Sequence, residues 1–127
     1  MARLMILIIE DNDFVRMQIT KFLTDGGYDV VQAASADEGN LAIREKGSSI
    51  QLMLVDVRME PMDGFDFLAK VKSENIQTPA IIVTGDDNPD ILSRALQLGL
   101  AGVLKKPVNK DRLLKMVERA TAGSRPS

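Results

Sequence analysis

The sequence contains no cysteine and no histidine. Without cysteine there is no disulfide, no thiolate metal site and no cysteine nucleophile, which is compatible with a reducing cytoplasm. Without histidine the chain lacks the commonest general base and the usual transition-metal ligand. Any metal it holds is therefore a hard, oxygen-loving cation such as magnesium. Long apolar runs are also missing. Leu4 to Ile9 is the longest, far too short to span a bilayer. The acids that follow it at once are unlike a signal peptide. Positive charge is not in excess either: the formal net charge is −2, which is no electrostatic match for DNA or RNA. These absences describe a soluble cytoplasmic protein without a membrane or a direct nucleic-acid partner. The 127 residues suffice for one domain with a core of its own.

What is present alternates. Leu4 to Ile9 reads as a strand covered on both faces. A helix follows from near Asp13, with Phe14, Val15, Met17, Ile19, Phe22 and Leu23 as its apolar face, and Gly26-Gly27 stops it. Tyr28 to Ala33 is a second strand. Ser35 and Glu38 form a capping-box pair for the next helix, which Gly47 ends. Leu52 to Val55 is a third strand ending at Asp56, and Gly64 opens a helix through about Glu74. Ala80 to Val83 is a fourth strand. Pro89 suits the first turn of the next helix, whose core stripe is Ile91, Leu92, Ala95 and Leu96. Ala101 to Leu104 is a fifth strand, and Asn109 caps the last helix. Strict strand–helix alternation predicts an α/β domain, a parallel sheet with helices on both faces. The domain covers residues 1–121, and the small polar stretch 122–127 reads as a disordered tail or linker stub.

In a parallel sheet all strand C-termini share one edge, where ligands bind. The first strand delivers Glu10 and Asp11 there, the third Asp56, the fourth Thr84 and the fifth Lys106. Alone, each is an ordinary loop residue, helix cap or solvated charge. Together they are three carboxylates, a hydroxyl and an ammonium drawn from four strands. Two carboxylates about 5 Å apart repel by roughly 3 kcal/mol at an effective dielectric near 20, and one lysine cannot neutralise three. Magnesium can, and it accepts a substrate phosphate as well. A carboxylate in such a site can act as a nucleophile toward phosphorus. The lysine and the threonine hydroxyl would then stabilise the phosphoryl oxygens.

The segments "ILIIEDN", "LMLVDVRMEPMDG", "AIIVTGDD" and "GVLKKPV" resemble the response regulator receiver domain, the phosphoacceptor module of two-component signalling, from about Arg3 to Ala120. The resemblance implies a flavodoxin-like doubly wound sheet of strand order 2-1-3-4-5. It makes Asp56 the residue that receives a phosphoryl group and Mg2+ the cofactor. Asp11 and Asp56 would be direct ligands, with Glu10 acting through water and the backbone carbonyl of Arg58 as a third protein ligand. Thr84 would hydrogen-bond the phosphoryl group and Lys106 pair with it. A cis Lys106–Pro107 bond is expected. The donor would be a sensor histidine kinase or a histidine phosphotransfer protein, necessarily external because this chain has no histidine. Output would be a change in binding to a partner or effector domain, with catalysis confined to the chain's own phosphorylation and dephosphorylation. Two departures stand out. Val103 occupies the place of an aromatic switch residue, and Met59-Glu60-Pro61 sets the proline one residue late. Arg58 and Asp86 hold positions where family members tune dephosphorylation. Two other readings compete: a haloacid-dehalogenase-like phosphatase built on Asp11-Asn12-Asp13, and an interaction-only receiver that is never phosphorylated.

Overall fold

A computed structural model describes residues 3–124. Its elements follow the alternation: β1 (Met5–Ile9), α1 (Asp13–Asp25), β2 (Asp29–Ala33), α2 (Ala36–Lys46), β3 (Ile50–Asp56), α3 (Gly64–Ser73), β4 (Ala80–Thr84), α4 (Pro89–Gln97), β5 (Gly102–Lys105) and α5 (Lys110–Ala120). The five strands form one parallel sheet of order β2-β1-β3-β4-β5. β3 begins before the apolar run does, because a 3-10 turn at Gly47–Ser49 leads straight into Ile50.

Strand alternation sorts the core into two layers. Leu7, Ile9, Met53, Val55 and Ile82 pack with Ala42 of α2, Phe65, Phe67, Leu68 and Val71 of α3, and Ile91 and Ala95 of α4. The intervening Ile6, Ile8, Leu52, Leu54, Ile81, Val83 and Leu104 pack with Ile19 and Leu23 of α1 and Leu113 and Val117 of α5. Helices therefore cover both faces, as expected.

Asn12, Ser35, Asp63, Asn88 and Asn109 cap the five helices, each accepting a backbone N–H with its side chain. Ser35 accepts from the Glu38 N–H at 3.2 Å, the serine half of the expected capping box. Four residues assigned to helix core stripes are not there. Phe14 and Met17 on α1, and Leu92 and Leu96 on α4, are exposed. Each helix buries only the narrow stripe that meets the sheet, Ile19 and Leu23 on α1 and Ile91 and Ala95 on α4. At the C-terminus Thr121 is buried, its hydroxyl donating to the Val117 carbonyl at 2.8 Å. Ala122–Ser124, within the stretch expected to be a disordered tail or linker stub, forms a short 3-10 turn. Residues 125–127 of that tail, and Met1 and Ala2 of the expected domain, lie outside the described residues.

Candidate functional site

Strand register assembles the site. Ile9 pairs with Val55, so Glu10 follows beside Asp56. Asp56 pairs with Val83, so Thr84 lies one step on along the neighbouring strand. Thr84 pairs with Lys105, so Lys106 comes next. The ladder continues past the strand ends: the Glu10 N–H donates to the Ala33 carbonyl, Val57 to Val83, and Lys106 to Thr84. The backbone here is thus fixed by hydrogen bonds, which holds the site side chains in position.

Three of these side chains are polar and nearly inaccessible: Glu10 is 1% exposed, Asp56 5% and Thr84 2%. Lys106 Nζ reaches Glu10 Oε1 at 2.8 Å and Asp56 Oδ1 at 3.1 Å. Carboxylate oxygens of Glu10, Asp11 and Asp56 all lie within 4.8 Å of one another. Glu10 Oε2 also accepts the Asn12 N–H at 3.2 Å, and Arg16 donates to the Glu10 carbonyl at 2.7 Å, pinning the loop after β1.

Burial pushes the Glu10 carboxyl above its usual range, and the neighbouring Asp56 charge adds to this; Lys106 opposes both without cancelling them. Asp11 is exposed overall, yet the water it loses on the side facing Glu10 raises it too, with Glu10 itself the next cause. Burial alone would lower Lys106, but the Glu10 and Asp56 carboxylates together hold it above the ordinary lysine value. One ammonium is therefore short of what three acids require. Glu10 Oε1 shows the shortfall. Among buried side-chain polar atoms of the described residues it alone lacks a hydrogen bond of good geometry, although Nζ is close. An all-oxygen donor set whose negative charge one lysine does not balance fits a magnesium ion.

Asp63 and Gly64, which end the loop after Asp56, are structural. Asp63 caps α3 by accepting from the Asp66 N–H at 2.8 Å. A Cβ on Gly64 would stand 2.2 Å from the Asp56 carbonyl oxygen, so only glycine lets α3 start against the end of β3. Asp13, the second acid of the phosphatase reading, has an 87% exposed side chain paired with Arg16 at 2.6 Å, and it is not in the acidic cluster. Lys106–Pro107 is cis, as expected, and so is Glu60–Pro61.

The loops after β3 and β4 carry contacts that sequence reading did not find. The Arg58 side chain extends to Asp86, Nη2 to Oδ2 at 3.0 Å. The Asp86 N–H donates to Thr84 Oγ1 at 2.9 Å, its Oδ1 accepts the Asn88 N–H at 2.9 Å, and its carbonyl accepts from Lys105 Nζ at 2.9 Å. Lys105 also pairs with Asp87. The Asn88 N–H, then the Arg58 guanidinium, hold the Asp86 carboxyl below its usual range. No sequence signal marks these partners, because they meet across two loops. An open cleft of about 610 Å³ beside Asp56 is lined by that residue with Arg58, Gly85, Asp86, Asp87 and Lys106.

Comparison with known proteins gives the family and agrees with the fold. The family model of the response regulator receiver domain matches residues 6–118. The chemotaxis protein CheY of Bacillus subtilis is 31% identical over 90% of this chain and 94% of its own. The transcriptional regulatory protein ZraR of Salmonella typhimurium is 34% identical over 94% of this chain but only 27% of its own. The cyclic di-GMP phosphodiesterase of Thermotoga maritima is 30% identical over 91% of this chain and 30% of its own. The chain thus spans about three-tenths of the length of several curated relatives it matches. Among solved structures, a response regulator receiver protein from Pseudomonas putida superposes with a TM-score of 0.86 at 31% identity, covering 94% of this chain and 98% of that one. Chemotaxis protein CheY4 of Vibrio cholerae gives 0.86 at 28% identity, covering 94% and 99%. The chain belongs to the response regulator receiver domain family of two-component signalling.

Proposed function

We propose that this chain is a phosphorylation-activated switch in which Asp56 accepts a phosphoryl group from a phosphohistidine on a partner protein. The observation that carries the reading is the buried excess of negative charge at one sheet edge, opposite a single lysine and a buried threonine. Such an arrangement costs stability unless a ligand neutralises it, and clusters of this kind mark functional sites. Asp11 and Asp56 would hold the magnesium ion directly, Glu10 through water, and the Arg58 carbonyl would complete the protein ligands. Bound magnesium supplies the positive charge that turns an anion-repelling site into one that admits phosphate.

The chain's own residues do the rest. An Asp56 carboxylate oxygen attacks phosphorus, forming an O–P bond as the bond to the donor imidazole nitrogen breaks and leaves its electron pair there. Lys106, already beside Asp56, pairs with the phosphoryl oxygens, and the Thr84 hydroxyl donates to one of them. These 127 residues hold no histidine, so the donor phosphohistidine lies outside them, on a kinase or a phosphotransfer protein. Water later hydrolyses the acyl phosphate, so the chain's catalysis is limited to its own phosphorylation and dephosphorylation. Among the described residues no helix is long and apolar enough to cross a membrane, and the cytoplasm is where such donors present their phosphohistidine. The domain spans residues 1–121, and its output is altered binding to a partner or effector domain.

Beryllofluoride with magnesium, a phosphoryl mimic, should shift the backbone amide resonances around Asp56, Thr84 and Lys106. Asp56→Asn should abolish the shifts. Unchanged wild-type spectra, or the same shifts in Asp56→Asn, contradict the assignment.

A further inference from the structure

The family's aromatic switch position is occupied here by Val103, half-buried on β5. A branched aliphatic side chain of that size cannot swing between two sites as a ring can, so coupling from the acceptor to α4 needs another carrier. The loops flanking the acceptor offer one. Arg58 follows Asp56 by two residues and Asp86 follows Thr84 by two, and their side chains meet at 3.0 Å over the acceptor cleft. Asp86 is the node of the second loop. Its amide holds the Thr84 hydroxyl oxygen, its carboxylate holds the amide of Asn88, and Asn88 is the N-cap of α4.

The pair is weak. Arg58 is 79% exposed, and an exposed ion pair of this kind is worth no more than about fivefold in an equilibrium constant. A phosphoryl group arriving in the same cleft carries close to two negative charges and three acceptor oxygens, which a guanidinium grips in a bidentate fork. Magnitude decides the exchange: the phosphoryl group outcompetes a single half-buried carboxylate whose guanidinium partner is exposed.

We propose that Arg58 is a displaceable cation that leaves Asp86 for the phosphoryl group on Asp56, and that the freed Asp86 releases the loop holding Thr84 and the α4 N-cap. This rests on the reading of Asp56 as phosphoacceptor. Arg58 positions the phosphoryl group of the phosphorylated state, and Asp86 competes for Arg58 in the resting state. The Thr84 half of the switch is then driven from two sides, by its own hydroxyl and by the loss of the salt bridge that steadies its loop.

The experiment titrates beryllofluoride, with magnesium held in excess, into the wild type, Asp86→Asn, Arg58→Ala and the double variant. Asp86→Asn keeps a carbonyl oxygen for the Asn88 amide and removes only the competing charge. Its apparent affinity should rise by about two- to fivefold. Arg58→Ala should weaken binding by a similar factor, and in the double variant the Asp86→Asn gain should vanish. The Arg58 side-chain Nε–H resonance of the wild type should move on saturation together with the amides of Asn88 and Asp90, which requires no variant to fold. Additive single effects, or an unmoved Arg58 resonance while the Asp56 and Thr84 amides shift, would overturn the exchange and leave the phosphoacceptor reading standing. A wild type whose Asp56 and Thr84 amides do not respond overturns both.

Discussion

The two ends of the sheet are built on opposite rules. At the amino end a cavity of about 360 Å³ is lined by Met53, Leu68, Val71 and Ile76 with polar neighbours at its rim. Its one cation among those linings, Lys72, is spent on the Leu98 carbonyl at 2.8 Å, and no buried acid lies there. At the carboxyl end Glu10, Asp56 and Thr84 are nearly as buried as the Ile9, Val55 and Val83 before them, and one carboxylate oxygen has no well-formed hydrogen bond. Both ends close the same strands. The difference shows that the chain accepts an electrostatic penalty only where β1, β3, β4 and β5 hand side chains to one place, as expected of a site held ready for a ligand.

The contrast can be broken most severely at Gly64. Gly64→Ala forces a methyl group to within 2.2 Å of the Asp56 carbonyl, which must displace either α3 or the acceptor strand. A loss of about 3 kcal/mol is expected from urea denaturation, with loss of beryllofluoride binding. A variant as stable as wild type would mean that the close approach is not needed.

Neutralising the acceptor should have the opposite sign. Asp56→Asn removes repulsion from two carboxylates and attraction to one ammonium. In chelator it should stabilise the chain by about 1 kcal/mol. Glu10 sharpens this with pH. Its folded value is raised, first by burial and then in part by Asp56. Protonated Glu10 therefore contributes stability that is fully present below its unfolded value of about 4.3 and is lost as pH rises through the raised folded value. The Asp56→Asn gain should be larger above that window than below it, and a pH-independent difference would contradict the coupling. The smallest effect belongs to the exposed leucines of α4. Leu96→Gln, at a side chain 72% exposed, should change stability by less than about 0.5 kcal/mol.

The site was legible in the sequence because its logic is topological. Glu10, Asp56 and Thr84 directly follow apolar runs, Asp11 and Lys106 come one residue later, and parallel strands end on one edge. Two kinds of feature escaped that logic. Phe14, Met17, Leu92 and Leu96 fit helical periodicity well enough to be read as core, but periodicity reports an apolar face without saying how wide the covered stripe is. Exposed apolar residues are common on folded proteins. Arg58 and Asp86 escaped because they are 28 residues apart and meet only when two irregular loops pack together. Asp63 was legible as an acid but not as a cap: its role depends on where α3 starts, which Gly64 fixes by its contact with Asp56.

The central claim is that the carboxyl-edge cluster is a magnesium-dependent phosphoacceptor. It is tested most directly by incubating the chain with a phosphorylated histidine donor and mapping the product by peptide mass spectrometry. The account predicts one added phosphoryl group, on Asp56, formed with magnesium, lost in chelator and absent from Asp56→Asn. A phosphoryl group on any other residue, or equal labelling of Asp56 with and without magnesium, would contradict it.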